Sequence, residues 1–411
     1  MIIMSDWIKL FKRCVKRNFR MTALQLQYFF PAIRKKHIII FLILFVILHF
    51  FGAFTHIFEE DFFENFQYPL EGDIRVYVEQ MKNHEKPSVQ PINEYNYPFL
   101  STCEEKCKLG HGEKLRLVYI VKSATNHFDR RRAIRNTWGY EKRFSDVPIR
   151  TVFILGKNDD VELQRRIEEE QKHYRDVVQA DFVDTYFNNT IKTMIGFKWA
   201  MLYCTNSKFY MFSDDDMYVS TKNVLRFVRN PTHYPQYMID PNLIHDPRIP
   251  ARLVAQHVTI ASYPKTPTLN NRNIPNLMDF ELPDDVELFT GFVFFSAPHR
   301  HYSSKWYISL SEYPYHMWPP YVTAGAYILS SNALENMYYA SYFTKHFRFD
   351  DVYLGILAKK MGIEPYHCNE FYFYKKEYKI YQYRYVIASH GYHNPEELIH
   401  VWNEMKSAGY A

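Results

Sequence analysis

The sequence predicts an α/β fold: one large domain on a mostly parallel sheet with helices on both faces, set behind an N-terminal membrane helix. Three observations carry this reading. From residue 114 onward, apolar runs of strand length alternate with segments of helical period. A single apolar run, residues 38–54, lies near the N-terminus between charges of opposite sign. Glycine is scarce, 13 in 411 residues, or about 3% against a usual ~7%. With neither G-x-G-x-x-G nor G-x-x-x-x-G-K-[ST] in the chain, glycine-fingerprint nucleotide binding is excluded.

The charge balance divides unevenly. Nine of the 50 Lys and Arg lie within residues 1–37, against one of the 45 Asp and Glu, so the rest of the chain carries 41 basic and 44 acidic residues. That slightly acidic remainder excludes a basic nucleic-acid footprint. Residues 1–37 read as a cytosolic basic tail and 38–58 as a transmembrane signal-anchor. Arg34, Lys35 and Lys36 precede the apolar run and Glu59, Glu60, Asp61 and Glu64 follow it, so the positive-inside rule places the C-terminal part in the lumen. Residues 59–113, with Pro69, Pro87, Pro91 and Pro98 and no sustained period, read as a stem; 114–411 form the main domain. Cys103, Cys107, Cys204 and Cys368 are then lumenal, and four cysteines allow two disulfides in three connectivities. The sequon Asn188-Asn189-Thr190 makes Asn188 a candidate glycosylation site.

Within the main domain, LRLVYIV (115–121), TVFIL (151–155), VVQADF (177–182) and KFYMFS (208–213) read as strands. Helices are expected around 129–138, over 161–174 and over 190–204, the last with Ile191, Met194, Ile195, Trp199 and Leu202 on one face. The fourth strand runs directly into Asp214-Asp215-Asp216. Ligands of such sheets bind outside the carboxyl ends of the strands. Residues i and i+2 leaving a strand point to one side, so Asp214 and Asp216 can share a hard cation such as Mg²⁺ or Mn²⁺. A solvated acidic turn is the plain alternative, and nucleotide-sugar transfer, a two-metal nuclease and an Asp-nucleophile phosphatase remain the candidate chemistries. Arg130, Arg131, Arg132 and Arg135 gather on the helix after the first strand and suit a diphosphate or a base edge. Asp350 and Asp351 open an apolar helix and read as a helix cap or a catalytic pair; His390 ends an apolar run and reads as a core histidine or a ligand.

Several of these segments, in order, resemble the β-1,3-glycosyltransferases of glycosyltransferase family 31. RRAIRNTWG (131–139) is similar to the R-x-x-I-R-x-T-W signature, DFVDTYFNNTIKT (181–193) to D-x-Y-x-N-L-T-x-K-T, and DDDMYV (214–219) to the metal motif. KWYISLSEYPYHMWPPY (305–321), DDVYLG (350–355) and IASH (387–390) continue the series. The resemblance implies a GT-A fold, a UDP-sugar donor, Mn²⁺ and a Golgi type II membrane enzyme. It also implies residue roles. Asp216 and His390 would bind the metal together with Asp214; Asp214 and Asp215 would contact the donor's ribose and sugar; Arg131 and Arg135 would line the nucleotide pocket; Asp351 would be the general base of an inverting transfer. UDP-galactose is the first donor expected, UDP-N-acetylglucosamine or UDP-N-acetylgalactosamine the second, and the acceptor is a glycan on protein or lipid. A catalytically silent lumenal relative is the alternative. Two family glycines are alanines here, Ala324 and Ala326, and two family cysteines are Val322 and Leu357. The segment 231–290 is where acceptor selectivity is expected.

Overall fold

A computed structural model of the chain describes residues 35–110, 113–239 and 282–411. Cys14, almost all of the basic tail and most of the segment expected to select the acceptor lie outside the described residues. The described chain falls into two units.

One unit holds the residues up to Glu64 together with Ala297–His316. Its helix α1, Lys35–Phe50, spans 16 residues, and its large apolar side chains from Ile38 to Leu48 are all exposed. The helix is shorter than the segment 38–58 expected as the signal-anchor. The helix stops because Gly52 takes φ +76°, and the amides of Gly52 and Ala53 turn back to the carbonyls of His49 and Leu48. A 3₁₀ turn follows over Thr55–Phe58. Among the described residues no helix is long and apolar enough to cross a membrane. The loop Ala297–His316 is ordered around buried Arg300, which pairs with Glu59 at 2.7 Å and donates to the carbonyls of Ile308, Tyr313 and Tyr315.

The second unit, Asn65–Ser296 with Met317–Ala411, holds both sheets. The strands of the main sheet are β1 (Phe99–Ser101), β2 (Leu115–Lys122), β3 (Ile149–Lys157), β4 (Val177–Val183), β5 (Ser207–Asp214), β7 (Phe289–Phe294), β8 (Tyr321–Ser330) and β9 (Tyr366–His367), in the order β1-β4-β3-β2-β5-β8-β7-β9. Pairing among β4, β3, β2 and β5 is parallel, as the alternation of strands and helices requires, whereas β8 is antiparallel to both its neighbours. β2, β3 and β5 are near-continuous apolar runs because helices cover both faces of the sheet. Those helices include α3 (Phe128–Asn136), α4 (Val161–Tyr174), α5 (Asn189–Tyr203), α7 (Ser331–Ser341) and α8 (Asp350–Met361); α2 (Arg75–Lys82) and α6 (Thr221–Arg229) complete the series up to α8. A small sheet joins β6 (Tyr218–Val219) to β11 (Ala388–Ser389) and β11 to β10 (Phe371–Tyr372). It sets Ser389 opposite Tyr218, which brings the late histidine to the acidic run.

Residues 65–110, expected as a spacer, are largely built into this unit. Ile74, Val78 and Tyr95 are buried, Asn93 donates to the carbonyls of Ser341 and Thr344, and β1 forms an edge of the main sheet. Isolated apolar residues between prolines carry this docking, so no periodicity announces it. A disulfide joins Cys107 to Cys204 across a Cα separation of 5.2 Å, while Cys103 and Cys368 are unbonded. One of the two disulfides that the cysteine count allows is thus present among the described residues.

Candidate active site

The parallel strands end together on one edge, where Lys122 and Asp214 are register partners at the tips of β2 and β5. Lys122 is buried, and its ammonium donates to Asp350 at 2.7 Å and lies 3.1 Å from Asp214. A buried ammonium persists only where carboxylates offset its desolvation, and these two hold its pKa above the usual lysine value. Thr193, on α5, also donates to Asp350 at 2.9 Å. Burial pushes the Asp350 carboxyl up, but the Lys122 charge and these hydrogen bonds outweigh it and bring it below its ordinary value.

Asp214 and Asp351 behave in the opposite way. Burial, with Asp216 and Asp350 nearby and against the pull of Lys122, raises Asp214 to about 7. Burial first, then the charge of Asp350, raises Asp351 to about 7. Asp351 sits half-buried in the first turn of α8, and its Oδ1 accepts the Val352 amide at 2.8 Å. The cap reading fails for Asp350, whose carboxylate is spent on Lys122 and Thr193; Phe349 is the N-cap and gives no side-chain cap bond.

Asp215 points inward. It accepts from Ser123 Oγ at 2.7 Å and Arg130 at 2.9 Å, and His127 Nδ1 lies 2.8 Å away. Burial opposes ionisation, yet the hydrogen bond and charge of His127, with Ser123 and Arg130, bring it down to about 2.

The arginines separate into distinct tasks. Arg130 reaches the acidic run, lying 4.0 Å from Asp216 as well as bonding Asp215. Arg131 is fully buried and forks onto Glu170 at 2.7–3.0 Å. Its remaining donors reach Ser123 Oγ and the carbonyls of Ala124 and Thr125. Arg135 forks onto Asp176 at 2.8 Å, adds Glu170 at 2.7 Å, and lies 3.9 Å over the Tyr174 ring. Both guanidiniums of Arg131 and Arg135, which the sequence expectation placed in a nucleotide pocket, are here engaged with carboxylates of the protein itself. Arg131 braces the loop that holds Asp215.

Asp216 and His390 do meet. His390 Nε2 lies 3.5 Å from Asp216 Oδ1, an oxygen that is buried without a hydrogen-bond partner. An orphaned carboxylate oxygen beside an imidazole nitrogen fits the donor set of a divalent cation. Among the described residues no group of three or more His, Cys, Asp and Glu side chains is arranged to hold a metal alone.

Sequence reasoning passed over Lys122, Thr193, His127 and His393, whose Nδ1 lies 3.0 Å from Asp216 Oδ2. The signals were present: a lysine closing an apolar strand, and a second histidine three positions after the first. Of the two glycine-to-alanine changes, Ala326 is buried in the core opposite Ser213, and Ala324 is half-buried on the same strand. Ala326 therefore packs inward rather than crowding a ligand. Asn188 is half-buried, its amide donates to the Val183 carbonyl, and Thr190 of the sequon is buried with its hydroxyl on the Phe347 carbonyl.

The sequence profile described as galactosyltransferase matches residues 129–246 and 268–369. Beta-1,3-galactosyltransferase brn of Drosophila melanogaster is 39% identical over 369 residues, covering 90% of this chain and 95% of its own length. Human beta-1,3-galactosyltransferase 1 is 30% identical over 318 residues, covering 77% of this chain and 81% of its own.

Proposed function

The chain belongs to the galactosyltransferase family, and we propose that it transfers galactose from UDP-galactose in β-1,3 linkage to a glycan on protein or lipid, inverting the anomeric centre. The observation that carries the mechanism is Lys122, which ties the acidic run to the carboxylate pair opening α8. Asp351 is the general base. With a pKa near 7 it is poised to take the acceptor hydroxyl's proton at neutral pH as that oxygen attacks the anomeric carbon. Burial first, and then the charge of Asp350 held ionised by Lys122, raises Asp351 into that range. Asp214 and Asp216 face the donor, and Arg130 steadies Asp215 behind them. A divalent cation, Mn²⁺ by preference, held by Asp216 and His390 and flanked by Asp214, would offset charge on the departing diphosphate.

The setting is the Golgi lumen, on a type II anchor. The exposed apolar faces of α1 between opposite charges support the anchor, and the Cys107–Cys204 disulfide supports an oxidising compartment. The test is UDP release by the full chain in detergent. It compares UDP-galactose, UDP-N-acetylglucosamine, UDP-N-acetylgalactosamine and UDP-glucose, with Mn²⁺ or EDTA, over β-linked acceptors. Acceptor-dependent, EDTA-sensitive release from UDP-galactose alone is expected; release from another donor overturns the choice of sugar, and EDTA-resistant release overturns the metal.

A further inference from the structure

We infer that His393 is a positioning residue for the metal-facing carboxylate of Asp216; this rests on the donor-metal reading above. Three features of the loop after β11 converge. The Tyr392 amide donates to the Asp216 carbonyl at 2.8 Å, and the Tyr392 side chain is buried with its hydroxyl on Tyr383, so the loop is clamped to the acidic turn. Gly391, at φ +93°, makes the bend that turns both flanking histidines toward Asp216. The two rings then stand nearly perpendicular, 5.8 Å apart, and approach different oxygens of the same carboxylate.

The two contacts are not equivalent. His393 Nδ1 pairs closely with Oδ2, at 3.0 Å. His390 Nε2 is 3.5 Å from Oδ1, which accepts no hydrogen bond. A carboxylate on a short side chain rotates about its last bond unless one oxygen is tied. The His393 imidazole, paired with Oδ2 through Nδ1, holds that oxygen and leaves Oδ1 aimed into the space it shares with His390 Nε2. Partners of this kind, one bond removed from a metal, typically contribute about 10- to 100-fold to its affinity. The His393 ring is 62% exposed, so it adds little to the core, and its removal need not disturb the fold.

The experiment titrates Mn²⁺ alone into the full-length protein and reads free Mn²⁺ by electron paramagnetic resonance, with no donor or turnover involved. His393→Ala is expected to weaken Mn²⁺ binding about 10- to 100-fold. His393→Asn, whose amide nitrogen can take the place of Nδ1 at similar reach, is expected to restore most of it. Unchanged affinity in His393→Ala overturns the inference, as does an Asn variant as weak as the Ala variant, since that pattern belongs to a direct ligand. Asp216→Ala serves as the control for the underlying reading. If wild type binds no Mn²⁺, or Asp216→Ala binds it as well as wild type, the metal assignment itself falls.

Discussion

Lys122 and Asp350 form a buried ion pair at 2.7 Å between the tip of a sheet strand and the first turn of a helix 228 residues later. The same ammonium lies 3.1 Å from Asp214. One cation therefore neutralises two motifs that each carry adjacent carboxylates.

Replacing Lys122 with Met leaves the buried Asp350 and the partly buried Asp214 without their cation. Breaking a buried pair from one side typically costs ~3–5 kcal/mol, which a urea midpoint reads directly. Adding Asp350→Asn to Lys122→Met should recover part of that loss, because the residues share one network. Strict additivity of the two substitutions would contradict the pairing.

With Asp351 near 7, the base proposed above is protonated in acid and ionised above neutrality. The rate at low acceptor concentration should rise with pH through about 7 and level off, and Asp351→Asn should abolish transfer while sparing UDP binding. Stability moves the other way. A carboxyl whose folded pKa is raised from 3.8 holds its proton longer in the folded state than in the unfolded one, so stability falls as pH climbs from about 4 to 7. Asp351→Asn should therefore melt higher than wild type at pH 8, the gap closing toward pH 4. An equal gap at both ends would reject the raised pKa.

Arg131→Met should lower folding stability by ~3 kcal/mol, since it strips Glu170 of its buried fork. A variant that kept its denaturation midpoint but lost UDP affinity would restore the donor-binding role for this side chain.

Cys204→Ser opens a crosslink between residues 97 apart in sequence. Losing a native bridge of that span costs ~2–5 kcal/mol, visible as a lower melting temperature. Peptide mapping without reductant should recover the Cys107–Cys204 pair. A Cys103–Cys107 peptide would refute the assignment.

Much of the central architecture could be read in advance, because a parallel sheet covered on both faces writes itself as bare apolar runs. The strand expected at 115–121 is Leu115–Lys122, and the helix expected at 161–174 is Val161–Tyr174. The site edge followed from Asp214 closing such a run, and the Asp216–His390 encounter from the ordered motifs. Direction was not legible. Nothing in a cluster of four arginines says that Arg130 turns toward the acidic run while Arg131 and Arg135 turn into the interior; helical phase and the distant Glu170 and Asp176 decide that. Strands of two or three residues, such as β1, β6 and β11, are too short to show alternation, and their pairing comes from tertiary context.

The edge strand β1 and the bond at Cys107 bear on where a shortened form of this chain can begin. A chain starting at residue 114, where the regular alternation begins, lacks β1 and half of the disulfide together with the docked segment around Ile74, Val78 and Tyr95. A start upstream of Tyr68, itself buried, keeps all of those elements with the enzyme. The proline-containing segment is thus a working part of the folded unit, and a truncation within 70–110 removes pieces of it.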